Sequence, residues 1–176
     1  SEMLGELRRR IGQNSNFYKR TEMSFKKLVL LDQLTNKFQA SSDRDFYNRG
    51  LLKYELKDLD GAILDYNEAL LLNPQYANAY NNRGNTKKAK GDFDGAILDY
   101  NEAILLHPQD ADAYNNRGNT KQDKKDFDGA ILDYNEALRL NPQYALAYLN
   151  RGKAKQLKGD IKGAIEDMGK WIKSKR

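Results

Sequence analysis

Three polar residue types recur along this sequence at one spacing, and each suits a different chemistry. Arg49, Arg83, Arg117 and Arg151 stand thirty-four residues apart, and Asp65, Asp99, Asp133 and Asp167 follow them at a constant offset of sixteen. A guanidinium and a carboxylate pair through two parallel hydrogen bonds. The spacing therefore predicts a repeated Arg–Asp bridge, between two helices of one unit or between neighbouring units; the competing reading leaves both groups solvated. Asn48, Asn82, Asn116 and Asn150 recur at the same interval. An amide both donates and accepts, so a row of them suits an extended peptide backbone without reading much of its sequence. The alternative is that these amides bond between adjacent helices and shape the stack.

Catalytic chemistry finds little to work with. Asp and Glu are plentiful, but they recur with the repeat, whereas catalytic sites are unique constellations. His107 is the only histidine and stands where other copies have Asn73 and Asn141, so it reads as incidental. With no cysteine and one histidine, thiolate ligands, cysteine nucleophiles and multi-histidine metal sites are excluded. No phosphate-binding loop or nucleophile–base pair is visible. The expectation is a chain that is not an enzyme, with no catalytic residues, no cofactor and no metal.

The 176 residues are 39% hydrophobic, enough for one folded domain. The longest apolar runs, Leu28–Leu31 and Leu70–Leu72, are far too short to span a bilayer. The N-terminus lacks the apolar core of a secretory signal, and a cytoplasmic location is expected. The net charge of +5 is uneven: residues 1–42 carry +4, 43–76 carry −3, 77–144 carry −2 and 145–176 carry +6. That pattern permits acidic partners at either end but is no basic stripe for nucleic acid.

These residues are positioned by an internal repeat. Residues 77–110 and 111–144 match at 26 of 34 positions without a gap. Residues 43–76 and 145–176 are more divergent copies in the same register, the last two residues short. A fixed period of this length indicates stacked repeats. Pro74, Pro108 and Pro142, the only prolines, punctuate the joints between copies. A second break falls near Lys57-Asp58, Gly91-Asp92, Lys125-Asp126 and Gly159-Asp160, where the aspartate can cap the next helix. Between breaks the apolar spacing is helical: Ala96, Ile97, Tyr100, Ala103 and Ile104 recur at three and four. Gly50, Gly84, Gly118 and Gly152 fall inside first helices, at about 1 kcal/mol each relative to alanine. Close approach to Ala62, Ala96, Ala130 and Ala164 on the second helix is the expected compensation.

In these positions the chain resembles the tetratricopeptide-repeat (TPR) family. Tyr80, Gly84, Ala96, Tyr100, Ala103 and Pro108 match the family's aromatic, glycine, alanine, aromatic, alanine and proline, in order, and the resemblance covers residues 43–176. It implies an all-α solenoid: a right-handed superhelix of antiparallel helix pairs, with first helices lining the concave face. Two features depart from the pattern. The Arg and Asp of the opening paragraph replace the usual residues in every copy, and Trp171 stands where other copies have Ala69, Ala103 and Ala137, an exchange expected to seal the end of the stack.

The resemblance also implies which positions face the groove. In the first copy these include Tyr47 and Asn48. In the second they are Asn78, Asn81, Asn82, Asn85 and Lys88; in the third, Asp112, Asn115, Asn116, Asn119 and Gln122. In the fourth, Asn150 and Lys153 are included. Some TPR domains grip the C-terminal carboxylate of chaperone tails with a lysine–asparagine–arginine clamp. Here Tyr47 or Asn81 replaces its first lysine, and Asp112 and Asn116, or Leu146 and Asn150, its later lysine and arginine, so that role is not expected.

Residues 1–42 lack the repeat. They read as a helical extension capping the first copy, with an amphipathic helix from Glu22 to Phe38 and a shorter one from Met3 to Ile11. The function expected is a protein-interaction scaffold holding a peptide or protein segment in the concave groove. RNA binding is the alternative, with self-assembly into homo-oligomers a third; the acidic inner copies count against nucleic acid, because phosphate neutralisation needs Lys and Arg along the groove.

Overall fold

Capping and chain reversal explain where each helix begins and ends. The computed structural model describes residues 40–174, which form eight helices and no strand. They are α1 (Asp43–Glu55), α2 (Leu59–Leu72), α3 (Ala77–Ala89), α4 (Phe93–Leu106), α5 (Ala111–Asp123), α6 (Phe127–Leu140), α7 (Ala145–Lys158) and α8 (Ile161–Lys173). Residues 1–39 of the expected N-terminal extension lie outside the described residues. Ser42 opens α1 through a reciprocal capping box with Asp45. Asp58, Asp92, Asp126 and Asp160 cap α2, α4, α6 and α8, each accepting from a glycine N–H at 2.9–3.0 Å. A Cβ on those glycines would lie 2.1–2.3 Å from the capping carboxylate.

The turns inside each pair need one residue at positive φ. Gly91 and Gly159 supply it in two pairs, but Lys57 and Lys125 adopt it in the others, with φ of 68° and 66°. An L-residue there is strained relative to glycine. Between pairs, α2, α4 and α6 end two residues before Pro74, Pro108 and Pro142.

The first three pairs each close around a tyrosine, and Met168 takes its place in the fourth. Tyr66, Tyr100 and Tyr134 on the second helices are fully buried. The glycines of the first helices make room for these rings: a Cβ on Gly50, Gly84 or Gly118 would fall 2.7–2.8 Å from the tyrosine Cε1. The expected alanine neighbour is secondary at Gly118, whose Cβ would meet the Ala130 carbonyl at 3.2 Å behind the tyrosine, but is the nearest group at Gly152, whose Cβ would meet the Ala164 carbonyl at 3.3 Å. Successive pairs are joined by small apolar clusters such as Ala137, Leu138 and Ala147, flanked by Tyr114, Tyr144 and Tyr148.

The stack has a direction of curvature. Each second helix packs on the following first helix, and consecutive first helices (α1 with α3, α3 with α5, α5 with α7) also touch, whereas consecutive second helices do not. The first-helix row is therefore the tighter, inner row. This is an all-α solenoid with α1, α3, α5 and α7 on its concave side.

Candidate binding surface

Two polar networks repeat through the stack. The first is a carboxylate clamp. Arg49, Arg83, Arg117 and Arg151 each place Nε 2.8–3.0 Å and Nη2 2.6 Å from the two oxygens of Asp65, Asp99, Asp133 and Asp167. The bridge thus forms inside each helix pair, and the aspartates are only 1–4% exposed. Neighbouring pairs are tied by the same guanidinium: Nη1 of Arg83, Arg117 and Arg151 donates to Asn67, Asn101 and Asn135 of the preceding second helix at 2.7 Å.

A third member of the clamp was not foreseen from the sequence. Lys53, Lys87, Lys121 and Lys155 bring Nζ to 2.9 Å from the same carboxylates. They follow the arginines by four residues, hence share one helix face, and that spacing was the available signal. Each arginine also lies over the aromatic ring three residues earlier, Phe46, Tyr80, Tyr114 or Tyr148, at 5.2–5.6 Å. Burial pushes the Asp167 carboxyl up, but hydrogen bonds and charge from Arg151 and Lys155 outweigh it and hold the group below its usual range.

The second network is an amide ladder along the inner row. Asn82 donates to the Tyr47 hydroxyl at 2.8 Å, Asn116 to Asn81 at 3.3 Å, and Asn150 to Asn115 at 3.1 Å. Each rung joins one first helix to the next. Asn85 and Asn119 accept from the Tyr100 and Tyr134 hydroxyls, both at 2.8 Å. The Tyr47 ring stands 4.7 Å from that of Tyr76, and burial raises its phenol pKa, the bond from Asn82 acting the other way.

The predicted groove residues therefore fall into three groups, and Asn115 alone of them is buried. Tyr47, Asn81, Asn82, Asn85, Asn115, Asn116, Asn119 and Asn150 are brought together by the ladder and its ties to the second helices. Asn48, Asn78 and Lys153 are exposed on the same row and make no hydrogen bond or ion pair among the described residues. Asp112 is exposed and accepts from the Tyr144 hydroxyl. An amide offers two N–H donors and two acceptor positions. Each rung uses one donor of one residue and one acceptor of the other, so much of the row's capacity is unspent.

The lysines near this row are differently placed. Lys88 pairs with Asp123 at 3.1 Å, and Lys90, Lys124 and Lys158 pair with Asp60, Asp94 and Asp128 of the preceding second helix. Among the described residues no group of acids and histidine is arranged to hold a metal, and no helix is long and apolar enough to cross a membrane.

The repeat geometry can be set beside known proteins. The tetratricopeptide-repeat model matches residues 111–144, and a TPR-repeat model matches 50–91 and 84–124. The chain belongs to the tetratricopeptide-repeat family. Its solved neighbours share that solenoid fold. MamA from Desulfovibrio magneticus RS-1 superposes with a TM-score of 0.76 at 20% identity, over 94% of this chain and 97% of that one. The Arabidopsis OM64 TPR domain gives 0.64 at 26% identity, over 65% of this chain and 95% of that one. The first TPR of Spaghetti (RPAP3), solved bound to the HSP90 peptide SRMEEVD, gives 0.65 at 23% identity, over 67% and 94%. Nothing among curated proteins matches the chain. A TPR array is a protein-interaction scaffold, and this one presents its inner helices as the continuous surface.

Proposed function

We propose that this chain is a non-catalytic cytoplasmic adaptor that holds an extended peptide or protein segment along its concave face. The contact surface is Tyr47, Asn48, Asn78, Asn81, Asn82 and Asn85, continuing through Asp112, Asn115, Asn116 and Asn119 to Asn150 and Lys153. The observation that carries the reading is the unspent hydrogen-bonding capacity of an amide row whose members are already held in place by one another. Packed helices stand about 8–10 Å apart, and an extended chain rises about 3.3 Å per residue. One rung therefore meets the peptide backbone about every third residue, and a segment of about nine residues spans the three intervals between four first helices. Amide contacts to backbone read length and extension more than side-chain identity.

The charge arrangement supports a protein ligand over RNA. Lys53, Lys87, Lys121 and Lys155 are spent on the buried aspartates, and Lys88, Lys90, Lys124 and Lys158 on other carboxylates. Such paired cations release few counterions from a phosphate backbone.

The test is a random-peptide display library panned on the chain, with selected peptides measured by fluorescence anisotropy. Asn78 makes no internal hydrogen bond, so Asn78→Ala should leave the fold intact and weaken binding about fivefold, the equivalent of one bond of about 1 kcal/mol. Peptides that bind a folded variant carrying alanine at Asn48, Asn78 and Asn81 as tightly as the parent would defeat the proposal. A steep fall of affinity with salt would point instead to phosphate-like recognition.

A further inference from the structure

The last helix pair breaks the polar code that joins the others. At each inner joint the next first helix finds fixed acceptors on the pair before it. For α7 these are Asp128 for Lys158, Asn135 for Arg151, and Asn115 for Asn150. Thirty-four residues on, those positions are Lys162, Gly169 and Leu149. All three acceptors are gone, and one has become a cation. Apolar groups take up the same edge. Ile172 occupies the place of Leu138, yet it is 52% exposed where Leu138, covered by Ala147 of the next helix, is 7%. Ile161 and Ile165 share its face at helical spacing, and both are exposed.

This face keeps the shape of a seat for one helix and loses the groups that a further repeat of this kind would need. A docked repeat would find no acceptor for its arginine, lysine or asparagine, and its lysine would oppose Lys162. A second copy offers no better fit. Two such faces would set Lys162 against its like, and the front of α1 carries Asn48 and Arg49, whose counterparts depend on the missing acceptors. The surroundings are basic: Lys162, Lys170 and Lys173 are exposed on α8 against one exposed acid, Glu166.

We propose that the outer face of α8, with the adjoining edge of α7, docks a single amphipathic helix from a partner protein, apolar where it meets Ile161, Ile165 and Ile172 and flanked by carboxylates. Apolar burial holds the helix in the seat, and the lysines select its acidic rim. This surface is separate from the amide row of the groove.

The experiment uses three labelled synthetic peptides, each about five helical turns long. One carries leucines on a single face with glutamates elsewhere, one replaces the glutamates by lysines, and one is a scramble of the first. Anisotropy titrations on the 176-residue chain should show the acidic amphipathic peptide binding and the other two not. Ile165→Glu, at an exposed position and checked for helicity by circular dichroism, should weaken binding tenfold or more. Lys162→Glu should weaken the acidic peptide and admit the lysine version. Leu64→Glu, at an exposed position on α2 away from both surfaces, should leave binding of the acidic peptide unchanged. Equal binding of the scramble, or indifference to Ile165→Glu, would overturn the proposal. So would sedimentation showing self-association of the parent that Ile165→Glu abolishes, since the face would then belong to a second copy.

Discussion

The carboxylate clamp and the amide ladder repeat with the same period, but they differ in burial and in saturation. In the clamp, each aspartate is sealed from solvent and takes two hydrogen bonds from arginine and an ion pair with lysine. In the ladder, every amide except the buried Asn115 is half-buried or exposed, and each rung uses one donor and one acceptor. Repetition alone does not separate a structural residue from a binding one, because duplication copies both. What separates them is whether the group has bonding capacity left once the fold is made. The clamp has spent its capacity on holding helix pairs together, and the ladder has not.

That contrast is sharpest where the clamp is broken. Asp99→Ala leaves Arg83 and Lys87 facing a buried void, and removing one partner of a buried ion pair costs about 3 kcal/mol or more. The expected result in chemical denaturation is a loss near the lower figure, because both cations reach solvent in part.

Acid provides a gentler break. The Asp167 carboxyl is depressed in the folded state, so its contribution is present above the unfolded value of about 3.9 and is lost as pH falls through and below it. Between pH of about 5 and about 3, the parent should lose more stability than an Asp167→Asn variant.

The ladder should respond less. Asn116→Ala removes one rung, to Asn81, and costs about 1 kcal/mol. A loss as large as that of Asp99→Ala would mean that the asparagines are as structural as the clamp. Smallest is Lys125→Gly, which relieves a positive φ at an exposed turn and should stabilise the chain by about 0.5–1 kcal/mol in thermal melts.

Much of the clamp was legible in the sequence. An offset of sixteen between Arg and Asp, repeated four times across a predicted turn, is what two antiparallel helices require. The lysine was hidden by abundance: Lys87, Lys88 and Lys90 stand together in one copy, and only packing decides which turns inward. The glycines signalled close approach, but small residues do not say what approaches them, and in the first three pairs the structure shows a tyrosine ring where alanine was expected. For the ladder, the sequence showed which positions carry amides but not their direction. That the sixth position of one copy donates to the fifth of the copy before it depends on the pitch of the stack. The exchange of Ala137 for Trp171 was readable as a change at the end, whereas the bare face of α8 appears only when the exposures of Leu138 and Ile172 are compared.

On the proposed function, the inner amides bind a ligand that the fold does not need. One panned peptide titrated against two surface variants tests it most directly, with melting followed in both. The first variant is Asn48→Ala with Asn78→Ala, on the inner row. The second is Leu64→Glu, at an exposed position on α2. Both should melt as the parent does, and only the first should lose affinity, by about thirtyfold for two bonds of about 1 kcal/mol each. Unchanged affinity in the first variant, or an equal loss in both, would contradict the account.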